Sequence, residues 1–228
     1  MIWGLIGKIP PACALELSSV AAVAMDATSG RVLYEKNARE KMGMASTTKI
    51  MTALVALEQC DLNEMVKVSV NAVNTEGSSM YLEKDETITV ENLLYGLMLN
   101  SGNDAAVALA EHISGSTKEF AKLMTKRGKE IGAKDTQFKN PHGLYEEGHY
   151  TTAYDLALIY RTCMCNPTFA KIAATKKWVV PLEGKPDREY YNKNKLLSMF
   201  DGVDGGKPGY TPETGRTLVG SATRNGWR

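Results

Sequence analysis

Long apolar runs are missing from this sequence. No stretch approaches the roughly 20 residues a membrane helix needs, and neither internal repeats nor low-complexity tracts are evident. Charge of one sign is also missing: 27 Lys and Arg face 26 Asp and Glu, for a net charge of +1. No overall field therefore points to nucleic acid or to an acidic membrane. Histidine is scarce. His112, His142 and His149 are the three, and none stands at metal-ligand spacing. Cysteine is scarce too. Cys163 and Cys165 are too close for an easy mutual disulfide. With Cys13 near the N-terminus set aside, Cys60, Cys163 and Cys165 form an odd set. That set gives no disulfide framework and no metal spacing, so these read as helix-packing cysteines. What is present is ordinary: 228 residues, 43% hydrophobic and 23% charged, enough for one domain with a well-buried core and a sizeable insert.

The first residues differ from the rest. Ile2 to Ile9 is short and mostly apolar, Pro10 and Pro11 come next, and Ala12-Cys13-Ala14 has the small-x-small form of a signal-peptidase site. No Lys or Arg precedes the apolar stretch. Residues 1–17 read either as the remnant of an export signal or as an unstructured N-terminus, and 18–228 as one folded unit.

Ser18 to Ala27 and Arg31 to Tyr34, joined by Thr28-Ser29-Gly30, predict a β-hairpin. Ser46 to Glu58 predicts a buried helix, because its apolar residues cover more than one face. Residues 61–88 are polar and turn-rich, with strand-like pieces at Val66–Val70 and Thr87–Thr89. Thr89 can cap a helix to Leu99; Asp104 to Ile113 is a second helix. Ser116 with Glu119 forms a capping box for a third, which Gly132 stops. Thr152 caps a fourth, and Pro167 can open a fifth. Trp178 to Val180, Lys207 to Thr211 and Arg216 to Thr223 look extended. The order predicts an α/β (α+β) fold: an antiparallel sheet formed from both ends of the chain, with a mainly helical insert at about 60–165. Such inserts commonly create a cleft where the two parts meet.

Three short segments carry chemistry. In Ser46-Thr47-Thr48-Lys49, positions i and i+3 of a helix share a face, so the hydroxyl and the amine project together. A serine hydroxyl is a weak nucleophile until a base takes its proton. A lysine can be that base when burial or a neighbouring cation favours its neutral form. Alone, this pattern more often marks a serine cap followed by a solvated lysine. Ser101-Gly102-Asn103 lies between two predicted helices. There the hydroxyl can relay a proton and the amide can bind a peptide carbonyl, although an inter-helix turn has the same composition. Lys207-Pro208-Gly209 begins a strand after Gly205-Gly206. A cation there can bind a carboxylate and oppose protonation of Lys49, and Gly209 admits a close backbone approach.

Ser-x-x-Lys, Ser-x-Asn and a Lys-x-Gly element, in this order, resemble the three motifs of the penicillin-binding proteins and β-lactamases. The surroundings narrow the resemblance. Val23-Ala24-Met25-Asp26-Ala27 with Gly30 and Leu33-Tyr34, Ala45 to Thr52, Asn100 to Ala106, Asn140-Pro141-His142-Gly143-Leu144, and Thr152-Ala153-Tyr154-Asp155 are similar to landmarks of the serine-type D-alanyl-D-alanine carboxypeptidases. The resemblance covers about residues 18–226. It implies a β-lactamase/transpeptidase-like fold with 18–228 as the catalytic domain. It implies Ser46 as the acylated nucleophile, Lys49 as its base and Ser101 as proton relay. Asn103, Lys207, Gly209, Tyr210 and Thr211 are implied at the substrate, with the backbone N–H groups of Ser46 and Tyr210 forming the oxyanion hole. The implied substrate is the D-Ala-D-Ala end of peptidoglycan pentapeptide, with β-lactam antibiotics as covalent inhibitors and no metal or organic cofactor. The implied location is extracytoplasmic.

Two departures stand out. The third motif is normally Lys-Thr-Gly, and Pro208 lacks both the hydroxyl and the N–H of threonine. Similar proteins also continue past the equivalent of Arg228 with a strand and a closing helix, so the chain reads as a fragment. Two alternatives stay open. A β-lactamase needs fast deacylation, yet no Glu-x-x-Leu-Asn-like segment lies between Ser101 and Lys207. A non-catalytic peptidoglycan-binding relative is favoured by Pro208 but opposed by the presence of Ser46, Lys49, Ser101, Asn103 and Lys207.

Overall fold

The computed structural model describes residues 16–228, so the Ala12-Cys13-Ala14 site and the remainder of the 1–15 segment lie outside the described residues. β1 (Ala22–Met25) and β2 (Val32–Lys36) form the expected antiparallel hairpin. Asp26 closes its turn, accepting from the Ser29 backbone N–H at 2.7 Å.

The predicted helix at Ser46 starts differently. Ala45–Thr48 is a 3₁₀ turn, and α1 (Lys49–Gln59) continues it without a break. Ala45 enters it at φ +45°, and the Thr47 N–H returns to the Met44 carbonyl at 3.2 Å. Every residue of α1 from Lys49 to Ala56 is buried. A helix buried all round needs neighbours on every side, and later helices supply them.

β3 (Met65–Lys67) pairs with β4 (Thr87–Thr89). The strand expected to reach Val70 ends early, because Ser69 accepts from the Ala72 N–H at 3.1 Å and starts α2 (Val70–Val73). Thr89 caps α3 (Val90–Tyr95), which runs on as a π-helical turn over Gly96–Asn100. Single π turns accumulate at functional sites. This one leads directly into Ser101, which takes the left-handed conformation at φ +66°. α4 (Asn103–Ser114) and α5 (Thr117–Ile131) come next, the second capped by Ser116 and stopped by Gly132 at φ +100°. α6 (Ala153–Met164) starts at Thr152, and α7 (Pro167–Ala174) at Asn166 with Pro167 in its first turn. α1 packs against α4, α5, α6 and α7. The alanine-rich face of α4, with Ala105, Ala106, Ala108 and Ala110 all buried, permits close approach.

β5 (Lys177–Val180) and β6 (Arg188–Tyr191) form a hairpin whose second strand the sequence patterns did not mark. Trp178 stacks on Tyr95 with ring centroids 3.6 Å apart, tying the hairpin to α3. After α8 (Leu196–Met199), β7 (Val203–Thr211) pairs with β8 (Gly215–Ala222). β7 begins at Val203 rather than Lys207 because Gly205 and Gly206 continue the ladder; a Cβ on Gly206 would lie 2.8 Å from the Val219 carbonyl. The two terminal hairpins meet over α6, which packs on both β1 and β8. The Ala27 N–H donates to the Arg228 carbonyl at 2.8 Å. Among the described residues the strands form four two-stranded antiparallel ladders, and no helix is long and apolar enough to cross a membrane. Cys60, Cys163 and Cys165 are free, with Cys163 in the core.

Candidate active site

Ser46 and Lys49 are brought together as their spacing predicts, though by a 3₁₀ turn. With about three residues per turn, i and i+3 eclipse. Lys49 Nζ lies 3.2 Å from Ser46 Oγ and donates to the His142 carbonyl at 2.6 Å. Lys49 is fully buried. Burial drives its pKa well below that of a free lysine, and the positive charges of Lys207 and Lys193 add to this against a weaker opposing pull from Asp104. A neutral Lys49 can accept the Ser46 proton while still donating to His142.

The turn over residues 140–144 grips α1. Asn140 Oδ1 accepts the Gly143 N–H at 2.8 Å, and Asn140 Nδ2 donates to the Leu144 carbonyl at 3.0 Å. Consecutive carbonyls then take consecutive positions of one helix face: Thr52 Oγ1 donates to Pro141 at 2.6 Å and Lys49 to His142. Gly143, at φ +94°, sits so close that a Cβ would lie 1.9 Å from the Ala45 carbonyl. Behind the turn, His149 Nδ1 accepts the Lys139 N–H at 3.0 Å. A neutral ring therefore carries its proton on Nε2, which faces Thr48 Oγ1 at 2.8 Å. Burial lowers His149 to about 4. His142 falls to about 3, through burial first and then Lys49 and His149.

Ser101 is buried, and its hydroxyl has no hydrogen-bond partner among the described residues. Buried hydroxyls are seldom left so, which makes this one available to a reacting group. Asn103 donates through its backbone N–H to the Ser78 carbonyl at 2.7 Å and through Nδ2 to the Glu76 carbonyl at 2.6 Å. A Cβ on Gly77 would come within 2.7 Å of Asn103 Nδ2 and 3.9 Å of Leu144 Cδ2, so Asn103 adjoins the turn that holds Lys49. Asp104 braces the same wall. Its carboxylate accepts from Ser79 Oγ at 2.6 Å, the Met80 N–H at 3.0 Å and the Leu82 N–H at 3.2 Å.

Lys207, on β7, is fully buried and carries no carboxylate partner among the described residues; its Nζ lies 3.5 Å from the Pro208 carbonyl. Burial, then the charge of Lys193, lowers it to about 7. Pro208 pairs with Leu218 of β8. In a two-stranded ladder β7 keeps one unpaired edge, where a sheet tolerates proline, and both strands pack against the Ala45–Thr48 turn. A Cβ on Gly209 would lie 2.8 Å from Ser46 N. The close approach Gly209 permits is thus that of the Ser46 backbone. Tyr210 leaves its side chain exposed beneath Arg216. Thr211 is set apart from the others, since its Oγ1 accepts the Thr214 N–H at 3.1 Å in the β7–β8 turn.

Sequence reasoning missed Lys193. Its Nζ donates to Ser78 Oγ at 3.2 Å and its N–H to the Leu99 carbonyl at 3.2 Å, placing a third cation near Lys49 and Lys207. The only local signal is its flanking pair, Asn192 and Asn194. Asn192 Nδ2 fixes the loop through the Ala173 and Thr175 carbonyls at 3.2 and 2.9 Å.

Known proteins resemble this chain over most of its length. Residues 9–228 match the family described as D-alanyl-D-alanine carboxypeptidase. The chain is 41% identical over 215 residues to the D-alanyl-D-alanine carboxypeptidase DacF of Bacillus subtilis, covering 91% of this chain and 55% of that protein. It is 36% identical over 208 residues to DacB2 of Mycobacterium tuberculosis, covering 90% and 71%. Among solved structures, the D-alanyl-D-alanine carboxypeptidase of M. tuberculosis superposes with a TM-score of 0.88 at 34% identity, over 95% of this chain and 83% of that one. The Streptomyces K15 DD-transpeptidase gives 0.88 at 35%, over 95% and 89%. The chain thus spans little more than half of the B. subtilis relative.

Proposed function

Since this chain belongs to the D-alanyl-D-alanine carboxypeptidase family, we propose that it removes the terminal D-alanine from peptidoglycan stem peptides through an acyl-enzyme on Ser46. Ser46 Oγ attacks the carbonyl carbon of the D-Ala-D-Ala bond while Lys49 takes the hydroxyl proton. The backbone N–H groups of Ser46 and Tyr210 receive the developing oxyanion. As the C–N bond breaks, the proton held by Lys49 passes through Ser101 to the departing amine, D-alanine leaves, and Lys49 is neutral again. Water then attacks the Ser46 ester, giving a proton to Lys49, which returns it to Ser46 Oγ as the C–O bond breaks, and the shortened peptide is freed. Lys207 binds the substrate's terminal carboxylate, with Lys193 adding to the field. Asn103 faces the peptide bond preceding the scissile one. A β-lactam enters by the same attack, because its strained amide mimics the acyl donor, and remains as a covalent inhibitor. The polymeric substrate places this activity outside the cytoplasmic membrane.

The observation that carries this reading is Lys49 itself. A fully buried lysine, in contact with a serine hydroxyl and surrounded by two further lysines, is costly to the fold and has the form of a base kept neutral. The test is release of free D-alanine from a peptide ending in D-Ala-D-Ala, with Ser46→Ala as control. Release from the parent and none from the variant is expected; equal release from both overturns the assignment.

A further inference from the structure

The end of α1 remote from Ser46, one helix length of about 16 Å at 1.5 Å per residue, gathers Cys60 and Glu64 with a side chain distant from both in sequence, His112. Cys60 ends α1, Glu64 lies on the turn into β3, and His112 is in the last turn of α4. One ligand atom from each, Sγ, a carboxylate oxygen and an imidazole nitrogen, lies within 4.8 Å of the others. No other group of three such side chains occurs among the described residues. His112 Nε2 is already 2.7 Å from a Glu64 oxygen.

We propose that Cys60, Glu64 and His112 form a binding site for a divalent cation of the zinc type, clipping the end of the nucleophile helix to α4. The donor set selects the ion. Thiolate and imidazole suit zinc and its neighbours, whereas calcium and magnesium prefer oxygen throughout. Zinc bonds of about 2.0–2.3 Å set tetrahedral ligand atoms roughly 3.3–3.8 Å apart, so the His112–Glu64 pair, now at 2.7 Å, must open slightly to admit the ion. Side-chain rotation can supply this while the backbones stay fixed. The Cys60 N–H is held by the Ala56 carbonyl at 3.0 Å, the Glu64 N–H by Asp61 at 3.0 Å, and the Glu64 carbonyl by the Val90 N–H at 2.9 Å. Glu64 and His112 are exposed and Cys60 is half-buried, so an ion has a route in and water can take a fourth position. On binding, the Cys60 thiol releases its proton to solvent, and the thiolate and carboxylate together neutralise the ion. A Glu–His contact accounts for two of the three residues; a cation accounts for all three. Glu64 and His112 are 48 positions apart, which is why no spacing in the sequence reveals the site.

Zinc is titrated calorimetrically into the whole chain, with Co²⁺ as an optical probe and thermal unfolding as a second readout. One equivalent of zinc, a thiolate-to-cobalt charge-transfer band and a zinc-dependent rise in Tm are expected. Loss of an outer-shell partner alone typically costs ~10–100-fold in affinity, so Cys60→Ser and His112→Gln should each weaken zinc binding by at least about tenfold. Cys60→Ser should also abolish the band. Cys13→Ser and Cys165→Ser should change neither. Should Cys60→Ser fail to fold, His112→Gln at the surface carries the test. Absence of saturable binding, a band that survives Cys60→Ser, a band that disappears in Cys13→Ser or Cys165→Ser, or an unchanged affinity in His112→Gln would each overturn the proposal.

Discussion

Lys49 Nζ is held by the backbone carbonyl of His142 at 2.6 Å, and not by a carboxylate. A carboxylate at that distance would stabilise the ammonium and raise its pKa; a carbonyl orients the amine without neutralising a charge. The opposing anion, Asp104, is already engaged with Ser79, Met80 and Leu82. Three lysines with little to balance them therefore share one site, and the electrostatics favour the neutral form of Lys49.

Replacing Lys49 by methionine keeps the volume and removes the base. General-base catalysis contributes about 10²–10⁴-fold, so the rate of Ser46 acylation by a β-lactam should fall by that much. The opposing stability terms are loss of a desolvated amine and a His142 carbonyl left without its donor, the latter costing about 1–3 kcal/mol. The variant should remain folded by circular dichroism. Acylation at the parental rate in a folded Lys49→Met protein removes Lys49 from the mechanism.

The alkaline side of the pH profile belongs to Lys207. With its pKa lowered to about 7, it is cationic below that pH and loses its charge above it. kcat/KM, which reports the free enzyme, should therefore decline above about pH 7 for a substrate carrying the carboxylate. Lys193→Gln removes a cation that favours the neutral form of Lys207, so the decline should move to higher pH. A limb that stays in place shows that Lys193 does not act on Lys207.

Acid stability depends on the two histidines. An unfolded histidine takes up its proton near 6.5, whereas His149 in the fold resists until about 4 and His142 until about 3. Between those values the unfolded state binds more protons, so stability is fully present above 6.5 and is lost as pH falls. The loss is up to about 1.4 kcal/mol per pH unit for each ring. His149→Gln, which retains a donor and an acceptor, should reduce the slope of unfolding free energy against pH by about one proton between 6.5 and 4. An unchanged slope contradicts this account of His149.

Pro208 withholds a hydroxyl from the third motif. A hydrogen bond to a charged group is worth about 1.5–3 kcal/mol, or roughly tenfold to a hundredfold in rate. Proline's fixed φ can recover part of that by holding Lys207 and Gly209 in place, but rigidity does not replace a donor at a desolvated carboxylate. Pro208→Thr should raise acylation by ligands bearing the carboxylate and do much less for analogues without it. Unchanged rates for both would mean that the carboxylate is held elsewhere.

Local signals were legible and long-range ones were not. Thr89, Ser116 and Thr152 cap their helices with their own side chains, within three residues, so composition reveals them. Ser46 and Lys49 survive the change from α to 3₁₀ because both geometries align i with i+3. The π turn at Gly96–Asn100 has no local signature. Its first residue, Gly96, is packed against a residue distant in sequence: a Cβ there would lie 2.4 Å from the sulfur of Met80. The roles of His142 and Lys193 were equally hidden, since one acts through a carbonyl and the other through a loop anchored by distant carbonyls. β6 was missed because Arg188 to Tyr191 is a short, polar strand that owes its pairing to β5.

The most direct test of the central claim is peptide-mapped mass spectrometry after incubation with penicillin. The account predicts one covalent penicilloyl adduct per chain, on the peptide containing Ser46 and at that residue, absent from Ser46→Ala. An adduct mapped to another residue, or one of equal yield in Ser46→Ala, would contradict it.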